Sequence, residues 1–259
     1  MTTDTEPALH LAERDPLFPR IGNAIMRFAT RINWAEPELR GLGSIVRHGD
    51  TVIDVGAAHG MYTIPLSHYV GPMGRVLSFD PHPRQQKQLR FLRGLLRARY
   101  ITVIDSAVGE QEGEFTMRLP VKYGFPIYGH AHIAEGAAEH PTRLRLWRTP
   151  VQTIDGWCAH NDIERVSFIK VDVEGFEPAV VRGAEKTIDR DRPSLLLEIE
   201  DRHLARYGRG ANQFADEILQ RWSDYRMFVW EGEEWVASER VELGIRNYLF
   251  ATDSAFERP

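Results

Sequence analysis

Five blocks of the chain carry acids immediately after short apolar runs, the arrangement by which an α/β sheet offers carboxylates to a ligand. The first is Ile53-Asp54-Val55-Gly56-Ala57-Ala58-His59-Gly60. Glycines at Gly-x-x-x-Gly spacing let a strand turn sharply into a helix and let the backbone approach a bound molecule. This is not the Gly-x-Gly-x-x-Gly of a dinucleotide fingerprint, and an acid precedes it. A pyrophosphate disfavours a neighbouring carboxylate, whereas an ammonium is balanced by one, so the block suits the methionine end of S-adenosylmethionine. Asp54, Gly56, Ala57 and Gly60, with Tyr62 at the start of the next helix, are the first candidate cofactor contacts; a tight turn with no ligand is the competing reading.

Phe79-Asp80-Pro81 follows, with Asp80 placed where one βαβ unit puts the next strand tip. A carboxylate there accepts both ribose hydroxyls, although strand-end aspartates also cap helices. Asp80 and Pro81 join the cofactor set. The third tip, Asp105-Ser106-Ala107, would flank an adenine ring, and Ser106 and Ala107 are taken as contacts. The fourth block, Phe168-Ile169-Lys170-Val171-Asp172-Val173-Glu174-Gly175, delivers two acids at a strand end, and Leu197-Glu198-Ile199-Glu200 adds further carboxylates. Asp172 belongs with the cofactor contacts as well as the chemistry. Lys170, inside its strand, is expected to pair with one of these acids. His130, His132, His140 and His203 are general-base candidates, each with surface or structural roles as the plainer reading.

Elements that alternate must position these tips. Apolar runs at Thr51 to Val55, Arg75 to Phe79, Ile101 to Ile104, Val166 to Val171 and Ser194 to Ile199 lack the period of a half-exposed strand and suit parallel strands buried on both faces. Helical spacing separates them at Met61 to Val70, Pro83 to Arg99 and Phe176 to Ile188, and recurs at Asn212 to Trp222. Strands at Tyr225 to Glu231 and Arg246 to Thr252 bring the count to seven. The expected fold class is α/β, a seven-stranded, mostly parallel Rossmann-like sheet. Residues 1–48 form a helical extension with stripes at Ile21, Ile25, Phe28 and at Leu39, Leu42, Ile45, Val46; residues 49–259 form the catalytic domain. Residues 113–150, rich in Gly, Pro and His, insert after the third strand as a candidate lid.

Composition bounds the rest. The chain has 259 residues, 42% hydrophobic and 27% charged, which suits one α/β domain with an extension. One cysteine excludes an intramolecular disulfide and a thiolate cluster. The first residues do not read as a signal peptide, and no apolar run is long enough to span a membrane, so a cytoplasmic location is expected. At net charge −5, with the signs mixed, nothing marks a general nucleic-acid surface. The basic stretch Arg84 to Arg99 reads as a solvated helix face, and the N-terminal helices suit either a homodimer contact or a cover for the site.

The blocks as a set resemble the FkbM-type methyltransferases: Ile53-Asp54-Val55-Gly56-Ala57 with Gly60, Phe79-Asp80-Pro81, and above all Ile169-Lys170-Val171-Asp172-Val173-Glu174-Gly175 with Glu177 and Gly183-Ala184. Where that family usually has Asn in the glycine loop, this chain has Ala58, so a contact there falls to the backbone. The resemblance implies the class I methyltransferase fold, S-adenosylmethionine as cofactor, and O-methylation of a small hydroxylated acceptor in secondary metabolism, a sugar or a glycolipid precursor. Within that expectation Asp172 positions or deprotonates the acceptor, with Glu174 and a histidine of the insertion, His132, assisting. A metal version gives Asp172 and Glu198 to Mg²⁺. Methyl transfer to nitrogen or a macromolecule, a non-catalytic cofactor-binding module and a nicotinamide enzyme are the competing readings.

Overall fold

A computed structural model describes residues 17–31, 35–122, 125–126, 132–133 and 144–257, with the side chains of Phe18 and of residues 118–145 outside the description. Its strands are β1 (Thr51–Val55), β2 (Arg75–Phe79), β3 (Ile101–Ile104), β4 (Ala107–Val108), β5 (Gly113–Lys122), β6 (Phe125–Pro126), β7 (His132–Ile133), β8 (Leu144–Gln152), β9 (Phe168–Val171), β10 (Ser194–Glu198), β11 (Arg226–Glu231), β12 (Glu234–Ala237) and β13 (Asn247–Ala251). Its helices are α1 (Leu17–Arg31), α2 (Thr63–Val70), α3 (Pro83–Leu96), α4 (Ile154–His160), α5 (Glu177–Arg182), α6 (Glu185–Asp191), α7 (Asp201–Leu204), α8 (Ala211–Arg221) and α9 (Ser254–Glu257).

The main sheet runs β12-β11-β13-β10-β9-β1-β2-β3. Strands β3, β2, β1, β9 and β10 pair in parallel, and β13 is antiparallel to both β10 and β11. This is the expected mostly parallel Rossmann-like sheet, with one more edge strand than the seven expected. The extra strand, β12, is joined to β11 by a two-residue turn, Gly232-Glu233, both at positive φ. Strand order reverses between β1 and β9, so the carboxyl ends of these two strands open a crevice at the switch point.

Period-two alternation sends successive residues to opposite faces. Ile53, Val55, Ile169, Val171, Leu195 and Leu197 pack with residues of α4, α5, α6 and α8. Val52, Val76, Phe168, Leu196 and Leu249 pack on the other side with Leu39, Leu42, Leu66, Val70 and Leu96. Asp54 and Lys170 fall on this second face and are register partners, so both acid and amine are built into the sheet's interior.

Three differences from the sequence pattern have local causes. The second N-terminal helix is replaced by two 3₁₀ turns, Pro37–Arg40 and Leu42–Ser44, separated by Gly41, a residue that favours helix little. The run from Phe176 to Ile188 is two helices, α5 and α6, broken at Gly183-Ala184. The segment after β3 is a second sheet, β4-β8-β5-β6 with β7 on β5, whose long hairpin pairs Gly113 with Val151 and Pro120 with Leu144.

Candidate active site

The crevice floor is made where two backbones touch. Gly56 at φ +81 brings β1 so close to β9 that a Cβ there would lie 1.9 Å from the Asp172 carbonyl oxygen. The Asp172 amide donates to the Val55 carbonyl at 3.0 Å, and the Gly56 and Ala57 amides donate to the Phe79 carbonyl at 3.0 and 3.1 Å. Ala58 follows at φ +44, a region that a side chain enters only when its surroundings impose it. What imposes it is Asp80: the Ala58 amide donates to Asp80 Oδ2 at 2.8 Å.

Around this floor lies about 970 Å³ of empty space, partly open to solvent. One end is built around a buried carboxyl, Asp80. Asp80 is 3% exposed, its Oδ1 accepts the His82 amide at 2.8 Å, and burial pushes its carboxyl up to about 6. Two backbone amides therefore aim the carboxylate into the crevice, whose wall it shares with Pro81, His82, Ser106, Ala107 and Met117. The Ser106 hydroxyl oxygen is buried and finds no hydrogen-bond partner among the described residues. A buried orphan hydroxyl in a cavity wall is a group waiting for a ligand atom.

The other end is charged. Lys170 is fully buried, its Nζ donating to Asn247 Oδ1 at 2.8 Å and sitting 4.8 Å above the Tyr62 ring. Asn247 Nδ2 in turn donates to Glu36 Oε2 at 3.0 Å; Glu36 also accepts from the Tyr62 hydroxyl and, at 2.7 Å, from Arg246 Nη2. Burial pushes the Lys170 pKa down, but Asp172, Glu36, Glu198 and Glu38 more than offset it, and the amine stays charged. The same field acts unequally on two acids at neighbouring strand ends. Asp172 is raised well above the ordinary aspartate range by burial and by Glu198 and Glu36, against the pull of Lys170. Glu198, despite its burial, is lowered to about 2 by His203, Lys170, Asp172 and Arg246. The two acids titrate together, and of the pair Asp172 is the one that favours its proton.

Glu174 closes this end. It is held at φ +59 by a turn in which the Val173 and Gly175 amides donate to Glu177 Oε1 at 3.0 and 3.1 Å. Its Oε2 lies 3.2 Å from His203 Nε2 and 3.5 Å from Arg206 Nη1, while His203 Nδ1 lies 3.6 Å from Glu198 Oε2. His203 is thereby wedged, 3% exposed, between the two carboxylates that flank Asp172.

Of the residues singled out by sequence, Gly56, Asp80, Pro81, Ser106, Ala107, Asp172, Glu174 and Glu198 share the crevice wall. Asp54, Ala57, Gly60 and Tyr62 do not line it. Asp54 points into the sheet's interior, where its Oδ2 accepts the Thr63 hydroxyl at 2.6 Å and Lys170 supplies the compensating charge, so its expected pairing with a ligand ammonium is met inside the protein. Tyr62 is spent on Glu36 and stands 3.2 Å from Glu38. Lys170 bonds to Asn247 rather than to an acid, the acids acting on it at longer range. His132 pairs through its backbone with Arg118, its side chain lying outside the description along with His130 and His140. Glu36, His82, Met117 and Arg246 line the site without having been signalled by any motif.

The metal reading can be tested on the same atoms. Oxygens of Glu36, Asp172 and Glu198 come within 4.8 Å of one another, as do donor atoms of Glu198, Glu200 and His203. Glu36, however, already accepts three hydrogen bonds, Glu198 lies 3.5 Å from Arg246 Nη1, and a buried lysine neutralises the first group. A divalent cation needs carboxylates whose charge is not already matched, so the first group does not fit Mg²⁺.

The model of the methyltransferase FkbM domain matches residues 54–227. Among solved structures the chain is similar to the FkbM methyltransferase of Methylobacillus flagellatus KT, at 18% identity and a TM-score of 0.50, covering 91% of this chain and 58% of that one. This chain therefore spans less than two thirds of that protein. It is also similar to the fibrillarin of Aeropyrum pernix with bound S-adenosyl-L-methionine, at 15% identity and a TM-score of 0.47, covering 84% of this chain and 74% of that one. No curated protein matches the chain in sequence. The strand order and the first of these structures agree on the class I methyltransferase fold.

Proposed function

The chain belongs to the FkbM family of methyltransferases, and from that premise we propose that it methylates a hydroxyl group of a small metabolite, sugar or glycolipid precursor, using S-adenosylmethionine. The observation that carries the reading is the union in one crevice of a nucleoside-type end, Asp80 with the orphan Ser106 hydroxyl, and a pair of neighbouring strand-end acids, Asp172 and Glu198. The residues present fit the cofactor. Asp80 would accept the ribose hydroxyls, and Ser106 and Ala107 would border the base. When bound, the cofactor supplies an electrophilic methyl on a sulfonium.

What remains for the protein is to hold the acceptor oxygen and take its proton. Asp172 is the group for both tasks. Its raised pKa makes it, once ionised, a stronger base than an ordinary aspartate, and burial, Lys170, Glu198 and Glu36 set that pKa. Glu174, fixed in a left-handed conformation on the same wall, is placed to orient the acceptor. Because the pair must give up its proton before Asp172 can act, turnover should rise with pH through the pair's upper titration. None of this calls for a divalent cation, and chelation is expected to leave the rate unchanged.

The test is transfer of a labelled methyl from S-adenosylmethionine across a panel of hydroxylated sugars and phenols, alongside calorimetric titration of S-adenosylmethionine, S-adenosylhomocysteine and NAD. Binding of both adenosyl compounds and label on oxygen is the expected outcome. NAD binding in their place, or label found only on nitrogen or nucleic acid, would overturn the reading.

A further inference from the structure

Helix α1 faces the opposite way from a helix that merely covers a sheet. Its inward side is mostly small or polar: Pro19, Asn23 and Thr30 are buried, Gly22 lies against Ile64 and Leu96, and Met26 is, among the described residues, the one large apolar side chain packing on the core there. Its apolar stripe points to water, at steps of four, four and three residues: Leu17 is 64% exposed, Ile21 45%, Ile25 60% and Phe28 61%. The adjoining helix α3 exposes Phe91 and Leu95. Single exposed leucines are ordinary, but a whole stripe presented to solvent marks a surface made for a partner.

The charge around the stripe identifies the partner. α1 contains no acid and carries Arg20, Arg27 and Arg31 on one flank of the stripe. From Pro81 to Ile104 there is again no acid, and the six basic residues of that stretch belong to α3 and its C-terminal turn. Two segments packed against each other thus bring nine basic residues and no acidic one, with Arg90 pairing with an adjoining acid, Asp105, in a chain whose net charge is −5. An isologous contact between two copies would set identical basic rims against each other. An anionic lipid surface matches both features, since apolar side chains enter the acyl boundary while arginines meet the phosphates.

We propose that α1, with the exposed face of α3, docks the protein on an anionic bilayer, the helix lying in the interfacial plane. No helix among the described residues is long and apolar enough to cross a membrane, and α1, at about 22 Å, has the length of a helix that lies on one. Arg31 ends α1 only five residues before Glu36, which lines the crevice, so docking would hold the crevice beside the lipid surface. An acceptor carried in that surface would then be captured in two dimensions.

The experiment is co-sedimentation of the full chain with vesicles of phosphatidylglycerol and phosphatidylcholine, and with phosphatidylcholine alone, at low and high salt. Binding only to the anionic vesicles, weakened by salt, is expected. Ile25→Glu with Phe28→Glu should lower it by roughly a hundredfold, as loss of two buried apolar side chains implies. Arg20→Gln with Arg31→Gln should lower it by about fivefold per residue and reduce the salt dependence. Both variants change exposed residues and should keep circular dichroism and S-adenosylmethionine affinity in solution, which separates this proposal from the methyltransferase reading. Wild-type protein left in the supernatant would overturn the proposal. So would an Ile25→Glu, Phe28→Glu variant that converts a dimer to a monomer and sediments with vesicles as wild type does, which would make the face a contact between copies.

Discussion

The two ends of the crevice are built by different means. The end around Asp80 comes from consecutive strand tips, Gly56, Asp80 and Ser106, the first two fixed by hydrogen bonds to or from the backbone. The charged end is gathered from residues as far apart as Glu36 and Arg246, and its geometry rests on side chains bonded to side chains. Backbone-built sites tolerate a changed side chain with local loss, whereas a buried charge network fails as a unit when one member goes.

That contrast is broken first at Lys170. Replacing it by methionine leaves Asp172, Glu198 and Glu36 facing one another without their buried cation, and stability should fall by about 3–5 kcal/mol in denaturant unfolding. A loss below about 1 kcal/mol would mean that the network relaxes like the other end. Asp172→Asn comes next. Turnover should fall by about 100-fold or more with cofactor affinity kept, and the rise of rate with pH should disappear, both read from steady-state kinetics. On the backbone-built side, Asp80→Asn should weaken S-adenosylmethionine by roughly 10- to 100-fold in calorimetry while the melting temperature moves little, because hydrogen bonds to an ionised group are worth about 1.5–3 kcal/mol.

The smallest effect sharpens the comparison through pH. Burial raises Asp54 and Asp80 to about 6 and Glu177 to about 7, above their unfolded values near 4. A carboxyl raised on folding binds its proton more tightly in the native state. Its contribution is therefore complete below the unfolded value and is lost as pH climbs through the folded one. Melting temperature should decline from about pH 5 to pH 8 on this account, and Glu177→Gln, whose amide oxygen can still accept from Val173 and Gly175, should flatten the decline by on the order of 2 kcal/mol. A melting curve that rises over the same window in the wild type would contradict the buried carboxyls.

The same contrast explains what could be read from sequence. Strands β1, β2 and β3 fall where their apolar runs stand, and Gly56, Asp80, Ser106 and Ala107 come together on the crevice wall because they sit at strand tips that one period predicts. Glu36, Asn247 and Arg246 have no such local mark; they are polar residues whose meaning depends on a β13 register that brings Asn247 opposite Glu198. Asp54 shows the opposite failure. Its position in the glycine block suggested a ligand contact, but alternation along β1 turns it inward beside Lys170. The stripe on α1 was visible as a pattern, yet periodicity states only that one face is apolar, not which way it points.

The backbone seam at Gly56 and Asp172 carries one more consequence. With the end of β1 bonded to the first residue after β9 and no room for even a methyl between them, the gap at the switch point cannot widen by parting the strands. Any widening of the crevice therefore falls to other residues of its wall, among them Met117 of the hairpin sheet and Glu36 before the first 3₁₀ turn.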